Sequence, residues 1–262
     1  MERQHPSWTD LLRQAVTEPG ELSRAYETFH GYSLGNILMA WGQAVERKIP
    51  LGPIATYAKW QALGRQVRRG EKAIWLCQPV SLKKRIEEKD EEEEIITRFV
   101  CKPHWFFVSQ TDGAEIAATA VPGWDRTCAL ANLGIIEEPF TLLDGNCQGY
   151  ARQRTIAINP VAALPLKTFA HECAHVILGH TTEVEQTDSD LTPRTLREVE
   201  AEATAMLVCA ALGLPGVELS RGYIQHWNGS GNEIPEKSCQ RIFKAADTIL
   251  KAGRATEAEA QS

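Results

Sequence analysis

The stretch from Lys167 to His180, K-T-F-A-H-E-C-A-H-V-I-L-G-H, constrains this chain more than any other. His171 and His175 are four residues apart, so a helix sets them on one face with about 5–6 Å between their Cβ atoms, close enough to grip one metal ion. Glu172 completes H-E-x-x-H, the spacing in which two neutral imidazoles hold zinc while the glutamate takes a proton from the attacking water. The bland alternative is two surface histidines beside a chance glutamate. Against it stand Phe169, Ala170, Ala174 and Val176, which bury the helix and leave the polar trio where a polar group needs a reason. Cys173 lies between the histidines in sequence but on another face, and reads as core.

Two histidines leave zinc in need of a third protein ligand, with a fourth position open to water. The helix R-E-V-E-A-E-A-T-A-M-L-V-C-A-A-L-G-L-P, ended by Gly213 and Pro215, carries the candidates. Glu198 and Glu202 are four apart and share a face, whereas Glu200 points nearly the opposite way. Glu198 is read as the ligand and Glu202 as the carboxylate that orients a histidine, with the two roles exchangeable. His180, nine residues from His171 and past Gly179, could be a third ligand, but reads first as a group beyond the helix end that is structural or lies behind the ligands. Tyr223 and His226 are either donors to a developing oxyanion or parts of an aromatic cluster with Trp227.

With 262 residues the chain has room for two domains, and Pro122-Gly123 marks the break between 1–125 and 126–252. Charge divides the same way. Residues 1–125 outside the acidic run Glu87–Glu94 carry 15 basic and 10 acidic side chains, and residues 126–262 carry 12 and 17. Seven scattered cysteines without a C-x-x-C pair suggest neither a disulfide framework nor a thiolate zinc site. The start, M-E-R-Q-H-P, lacks the apolar region of a signal peptide, and no apolar run reaches the ~18 residues of a membrane span. A cytoplasmic protein without a membrane partner is the expectation.

In order, Trp8 to Thr28 predicts an amphipathic helix broken at Pro19-Gly20. Leu34, Ile37, Leu38 and Trp41 mark a second helix capped by Ser33, and Tyr57 to Leu63 a short one closed by Gly64. A long β-hairpin follows, with its charged, solvated tip at Glu87 to Glu94 and return strands from Ile95 and Trp105. Beyond a helix from Cys128 to Gly134 and a turn at Asp144-Gly145, Thr155 to Ile158 alternates as a strand. It is expected to be an edge strand along the cleft that pairs with an extended substrate. Thr182 to Thr195 reads as an exposed loop, and 253–262 as a disordered tail. The class is α+β, with N-terminal helices and a β-hairpin in a small sheet before the H-E-x-x-H domain. Around the Gly70 turn, Arg65, Arg68, Arg69 and Lys72 lie near Trp60, Trp75 and Tyr57. Single-stranded nucleic-acid grooves use this mixture of cations for phosphates and π-faces for bases, although a solvated turn beside core aromatics has the same composition.

Y-S-L-G-N-I-L at 32–38, W-Q-A-L-G-R-Q-V-R-R-G-E-K at 60–72 and V-S-Q-T-D-G at 108–113, followed by the two helices above, resemble the ArdC-type antirestriction family nearly end to end. The resemblance implies an N-terminal single-stranded DNA-binding domain joined to a C-terminal zincin-like metallopeptidase domain. It implies a role in protecting incoming mobile DNA from host restriction during conjugation. DNA contacts would then fall to Trp60, Arg65, Arg68, Arg69 and Lys72. Zn2+, or another divalent ion such as Mn2+ or Co2+, would sit on His171, His175 and Glu198 or Glu202, with Glu172 as base. The alternative function is a peptidase that cleaves a regulatory or restriction protein, with DNA binding serving only to localise it. The acidic run and the formal charge of −6 are departures from a DNA-binding surface.

Overall fold

The computed structural model describes residues 6–18, 20–85, 93–116, 121–142, 147–181 and 194–254. The expected acidic tip up to residue 92, the Asp144-Gly145 turn, the 182–195 loop up to residue 193, and the tail from 255 lie outside them, whereas Glu93 and Glu94 of the expected tip belong to a strand. The chain forms two compact units, each packed chiefly against itself. One is Asn36–Ala118 with Met1–Pro6, and the other is Ser7–Gly35 with Thr119–Ser262. The units therefore do not follow a single cut at residue 125, because the first two helices belong with the C-terminal part.

Those helices are α1 (Trp8–Thr17) and α2 (Glu21–Phe29). Ser7 caps α1 in a reciprocal box with Asp10, and Gly20, at φ 77°, makes the turn that separates the two. Leu11, Leu12, Val16, Leu22, Tyr26 and Phe29 recur at helical spacing and are buried. Helix α3 (Leu34–Arg47) starts in this unit and runs into the other. Its first N–H, on Leu34, is donated to Asp247 Oδ1 at 2.9 Å, a helix start answered by a remote carboxylate.

The first unit continues through β1 (Ile54–Thr56), α4 (Tyr57–Ala62), β2 (Arg65–Val67), β3 (Ile74–Arg85), β4 (Glu93–Phe107) and β5 (Thr111–Gly113). The long hairpin forms as expected, but its return is one strand, and β1 adds to it in the order β1-β4-β3. Strands β2 and β5 make a separate antiparallel pair. Strand β3 is an edge, and an unpaired edge exposes backbone donors and acceptors. Two amide side chains of α3, seven residues apart, close it. Asn36 accepts from Cys77 N–H and donates to Cys77 C=O, each at 2.8 Å. Gln43 accepts from Trp75 N–H at 2.9 Å and donates to its C=O at 2.8 Å.

One cysteine expectation is corrected here. The β3–β4 register sets Cys77 opposite Cys101, and the two are joined as a disulfide. Sequence spacing could not show this, because the register of a long hairpin decides which residues face each other.

The second unit continues with α5 (Arg126–Leu133), β6 (Ile136–Glu137), β7 (Gly149–Arg152), β8 (Thr155–Ile158), α6 (Pro165–Ile177), α7 (Arg194–Ala211), α8 (Val217–Gly229) and α9 (Glu236–Ala252). Asp125 caps α5, Gly134 ends it at φ 60°, and Pro165 opens α6 at a position that needs no N–H. Helix α7 lies against α2, α6, α8 and α9. Its Ala201, Ala203 and Ala205 are fully buried, and small side chains let neighbouring helices approach closely from several sides. The sheet order is β6-β8-β7, so Thr155–Ile158 is the central strand and not the expected edge. The edge on that side is β7, which pairs antiparallel with β8. Residues 253–254, assigned to the tail, are ordered: Arg254 bridges to Trp124 and donates to the Tyr26 hydroxyl and to His30 C=O.

Candidate metal centre

Helix α6 presents His171 and His175 toward α7, and α7 presents Glu198 toward them. The Nε2 atoms of the two histidines are 3.1 Å apart, and each lies 3.6 Å from Glu198 Oε2. Donors held 2.0–2.2 Å from a tetrahedral ion sit about 3.3–3.6 Å from one another, so both histidine–Glu198 separations fit a divalent cation and the two Nε2 atoms need to part by only a few tenths of an ångström. Two nitrogens and one carboxylate oxygen suit zinc and its divalent neighbours. No other cluster of three metal-ligating side chains occurs among the described residues.

Glu202 sits behind the donors. Its Oε2 is 3.0 Å from His171 Nδ1, and its Oε1 takes a 2.7 Å ion pair from Lys167 Nζ. Burial works against the Glu202 charge, but the hydrogen bonds from His171 and Lys167 hold its carboxyl down to about 2. Burial likewise opposes charge on His171, yet Glu198, Glu202 and Glu172 raise it to about 9. The histidines on either side keep Glu198 well below the usual carboxylate range. A divalent ion bound there would displace the ring proton from His171 Nε2.

His175 is backed differently. Its Nδ1 is 3.0 Å from His180 Nδ1, and His180 Nε2 is 2.9 Å from Glu200 Oε2. Glu200 Oε1 receives Arg241 Nη1 of α9 at 3.2 Å, and Arg241 Nη2 donates to Leu178 C=O at 2.6 Å. Burial pushes the His180 imidazole below its ordinary value. Glu200 is 0% exposed; burial opposes its charge, while His180, Ser238 and Arg241 keep it ionised.

Glu172 is 7% exposed and beside the histidines. Burial holds its carboxyl above the usual range, with Glu198 adding to the rise and both histidines opposing it. Strand β7 passes directly over it. A Cβ on Gly149 would stand 2.8 Å from Thr168 Cγ2 and 3.2 Å from Glu172 Cγ, so only glycine lets the strand approach this far. Cys173 is buried core, its thiol pushed up by desolvation. Tyr223 and His226, weighed as parts of an aromatic cluster, are exposed instead; burial first, then Glu198 and Glu202, raise the Tyr223 hydroxyl.

The residues expected to contact nucleic acid are not brought together as one surface. Trp60 is 1% exposed and gives its indole N–H to Phe106 C=O at 2.9 Å, so it is core and has no face to stack on a base. Arg65 spends its guanidinium on Thr111 Oγ1, Thr111 C=O, Gly113 C=O and Ala114 C=O, bracing β2 against β5. Arg68 pairs with Glu71 at 2.8 Å and Asp112 at 3.4 Å. Arg69 and Lys72 are exposed, with no ion pair among the described residues. Arg68, Arg69, Val67 and the exposed Tyr57 line a groove of about 650 Å³ with Glu71 and Asp112.

Sequence reasoning missed Lys167, Glu200 and Arg241. Glu200 did carry a signal, since it falls among the buried positions of α7, where a carboxylate requires partners. Arg241 carried none, because its role depends on how α9 packs.

Residues 4–107 match the family model described as the N-terminal domain of anti-restriction factor ArdC, and residues 128–226 match a peptidase family model described as the IrrE N-terminal-like domain. No curated protein sequence matches the chain. Among solved structures, the metal-free crystal structure of antirestriction protein ArdC from the R388 plasmid is similar at 23% identity, over 94% of each chain, with a TM-score of 0.55. The Mn(II)-bound structure of the same protein is similar at 21% identity, over 94% of this chain and 97% of that one, with a TM-score of 0.53. At these identities the likeness concerns the fold. The chain thus carries an ArdC N-terminal domain followed by a metallopeptidase-like domain, and it belongs to the ArdC-type antirestriction family.

Proposed function

We propose that this cytoplasmic protein binds single-stranded DNA entering the cell and carries a metallopeptidase-like centre in which His171, His175 and Glu198 hold a divalent ion, with Glu172 as general base. The observation that carries the reading is the convergence of three ligand atoms within 4.8 Å of one another beside a buried glutamate. Zn2+ suits the donor set, and Mn2+ is a second candidate because a structurally similar protein is described in an Mn(II)-bound form.

A divalent ion held there supplies Lewis acidity for water and for a scissile carbonyl. Glu172 takes a proton from the attacking water and hands it to the leaving amine nitrogen, a transfer favoured by its raised affinity for protons. Glu202 and His180 keep the ring protons of the two histidines on Nδ1, which leaves both Nε2 lone pairs facing Glu198. The exposed edge of β7 offers backbone groups for an extended peptide beside Glu172.

For DNA, the candidate contacts are now Arg68 and Arg69 in the groove, the exposed Lys72 near them in sequence, and Tyr57 as the exposed stacking face in place of Trp60. Metal analysis of the purified protein, combined with salt-dependent binding to single-stranded and duplex DNA, tests the reading. One equivalent of ion and a preference for single strands is the expected result; no retained ion, or equal binding of both DNA forms, sinks the corresponding half. The second reading, a peptidase cleaving a regulatory or restriction protein with DNA binding for localisation, is favoured by the burial of Glu172, which a purely structural ion does not require. Loss of cleavage of such a protein on Glu172→Gln, with ion retained, selects it.

A further inference from the structure

Helix α6 ends in a turn that returns the chain under its own last histidine. Gly179 takes φ 75°, its N–H bonds to Val176 C=O at 3.2 Å, and the His180 N–H bonds to His175 C=O at 2.9 Å. This is the Schellman closure, in which the residue after the glycine is tied back to the third residue from the helix end. It brings His180 against His175. From there a continuous chain of side chains runs inward: His175 to His180, to Glu200 of α7, to Arg241 of α9, and back to the carbonyl of Leu178 at the end of α6. The His180 and Glu200 side chains are 4% and 0% exposed.

We propose that His180, anchored by Glu200 and Arg241, is the positioning residue for His175, setting its tautomer and ring orientation for metal. The inference rests on the metal reading above. Its proton assignment has one solution. His175 must keep Nε2 bare to hold an ion, so its proton lies on Nδ1 and is donated to His180 Nδ1. His180 must then carry its own proton on Nε2 and donate it to Glu200, whose other oxygen accepts from Arg241. Each member donates in one direction and no buried donor is left over. His171 differs, since Glu202 accepts its Nδ1 proton directly. Closing the loop at Leu178 also ties α6, α7 and α9 together, so the ring of His175 is held by three helices at once.

The test titrates metal-free full-length protein with Mn2+ and with Zn2+ against a competing chelator, and reads the His175 tautomer in the same sample by two-bond proton–nitrogen NMR. Wild type is expected to carry the His175 proton on Nδ1. His180→Phe fills the space but accepts nothing; it is expected to lose that signature and to bind the ion about 10–100-fold more weakly. His180→Asn, whose amide oxygen accepts at the same place, is expected to recover affinity to within a few-fold. If His180→Phe does not fold, Arg241→Gln takes its place, with a smaller loss of affinity expected. Unchanged affinity together with an unchanged His175 signature in the folded variant overturns the proposal alone, even where the melting temperature falls, because a purely structural network moves stability and nothing else. A wild type that binds neither ion overturns the metal centre and this proposal together.

Discussion

Around His171 and His175 the charged side chains are half-buried or buried and most meet a directed partner: Lys167 with Glu202, and Arg241 with Glu200. Along β2 and β5 the charges are handled in the opposite way. Arg65 is consumed by backbone carbonyls, Arg68 by surface carboxylates, and Arg69 and Lys72 point to solvent. A buried charge is costly unless paired, so its presence and its partner identify each other. An exposed charge costs almost nothing to keep, so its presence alone says little about what it meets. In α6 and α7 each buried charge is therefore identified by its partner, whereas near Tyr57 the side chains open to a ligand are the exposed cations Arg69 and Lys72.

The largest test of this contrast is chemical. Glu172→Gln is expected to lower cleavage of a confirmed peptide substrate by at least about 10²-fold while leaving the metal content at its wild-type value. Metal analysis and a cleavage assay on one preparation check both parts, and loss of the ion along with activity would place Glu172 among the ligands. Next comes stability. Glu200→Ala leaves Arg241 and His180 facing a buried gap and is expected to destabilise the protein by about 3–5 kcal/mol, whereas Glu71→Ala, opposite the half-exposed Arg68, should cost under about 1 kcal/mol. Urea denaturation of the pair measures the contrast directly; similar values for both would remove it.

Asp247 extends the comparison to pH. Burial raises its carboxyl to about 6 from 3.8, against the opposing Leu34 N–H and the Lys251 and Arg254 charges. A carboxyl raised on folding favours the native state when protonated, so its contribution is complete below about pH 4 and is lost as the pH rises through about 6. Asp247→Asn stays neutral, and it should equal wild type near pH 4 and exceed it by about 2–3 kcal/mol at pH 8, as read from the pH dependence of unfolding. A constant difference across that range would mean that Asp247 does not change its protonation on folding.

The smallest expected effects belong to the exposed cations in and beside the groove, Arg69 and Lys72. Arg69→Ala with Lys72→Ala should leave stability within about 0.5 kcal/mol of wild type while reducing the salt slope of single-strand binding by about 1–2. Binding that ignores this pair would place the DNA surface elsewhere in the protein.

Much of the centre was legible because helical periodicity is local: four residues make a turn, so His171 with His175 and Glu198 with Glu202 could be paired before any packing was known. Trp60 shows the limit. Its sequence neighbourhood of arginines is equally compatible with a stacking platform and with core, and the sheet built by β1, β3 and β4 makes it core. The strand Thr155–Ile158 was recognisable as a strand, but its place in the middle depended on pairing with β6 and β7. The Cys77–Cys101 bond likewise followed from register, which spacing along the chain does not specify.

By itself, then, the sequence determined the main helices and the long hairpin, the α+β class, the family, and which side chains share a helix face, because these follow from periodicity, caps, turns and motifs within a few residues. Tertiary structure alone decided that Glu198 stands among the metal-facing donors while Glu202 stands behind His171. It also decided that α1 and α2 join the C-terminal part, and that Arg241, 41 residues from Glu200, completes the support of His175. Those outcomes depend on which helices bury their apolar faces against one another, an interaction between distant segments that no local pattern encodes.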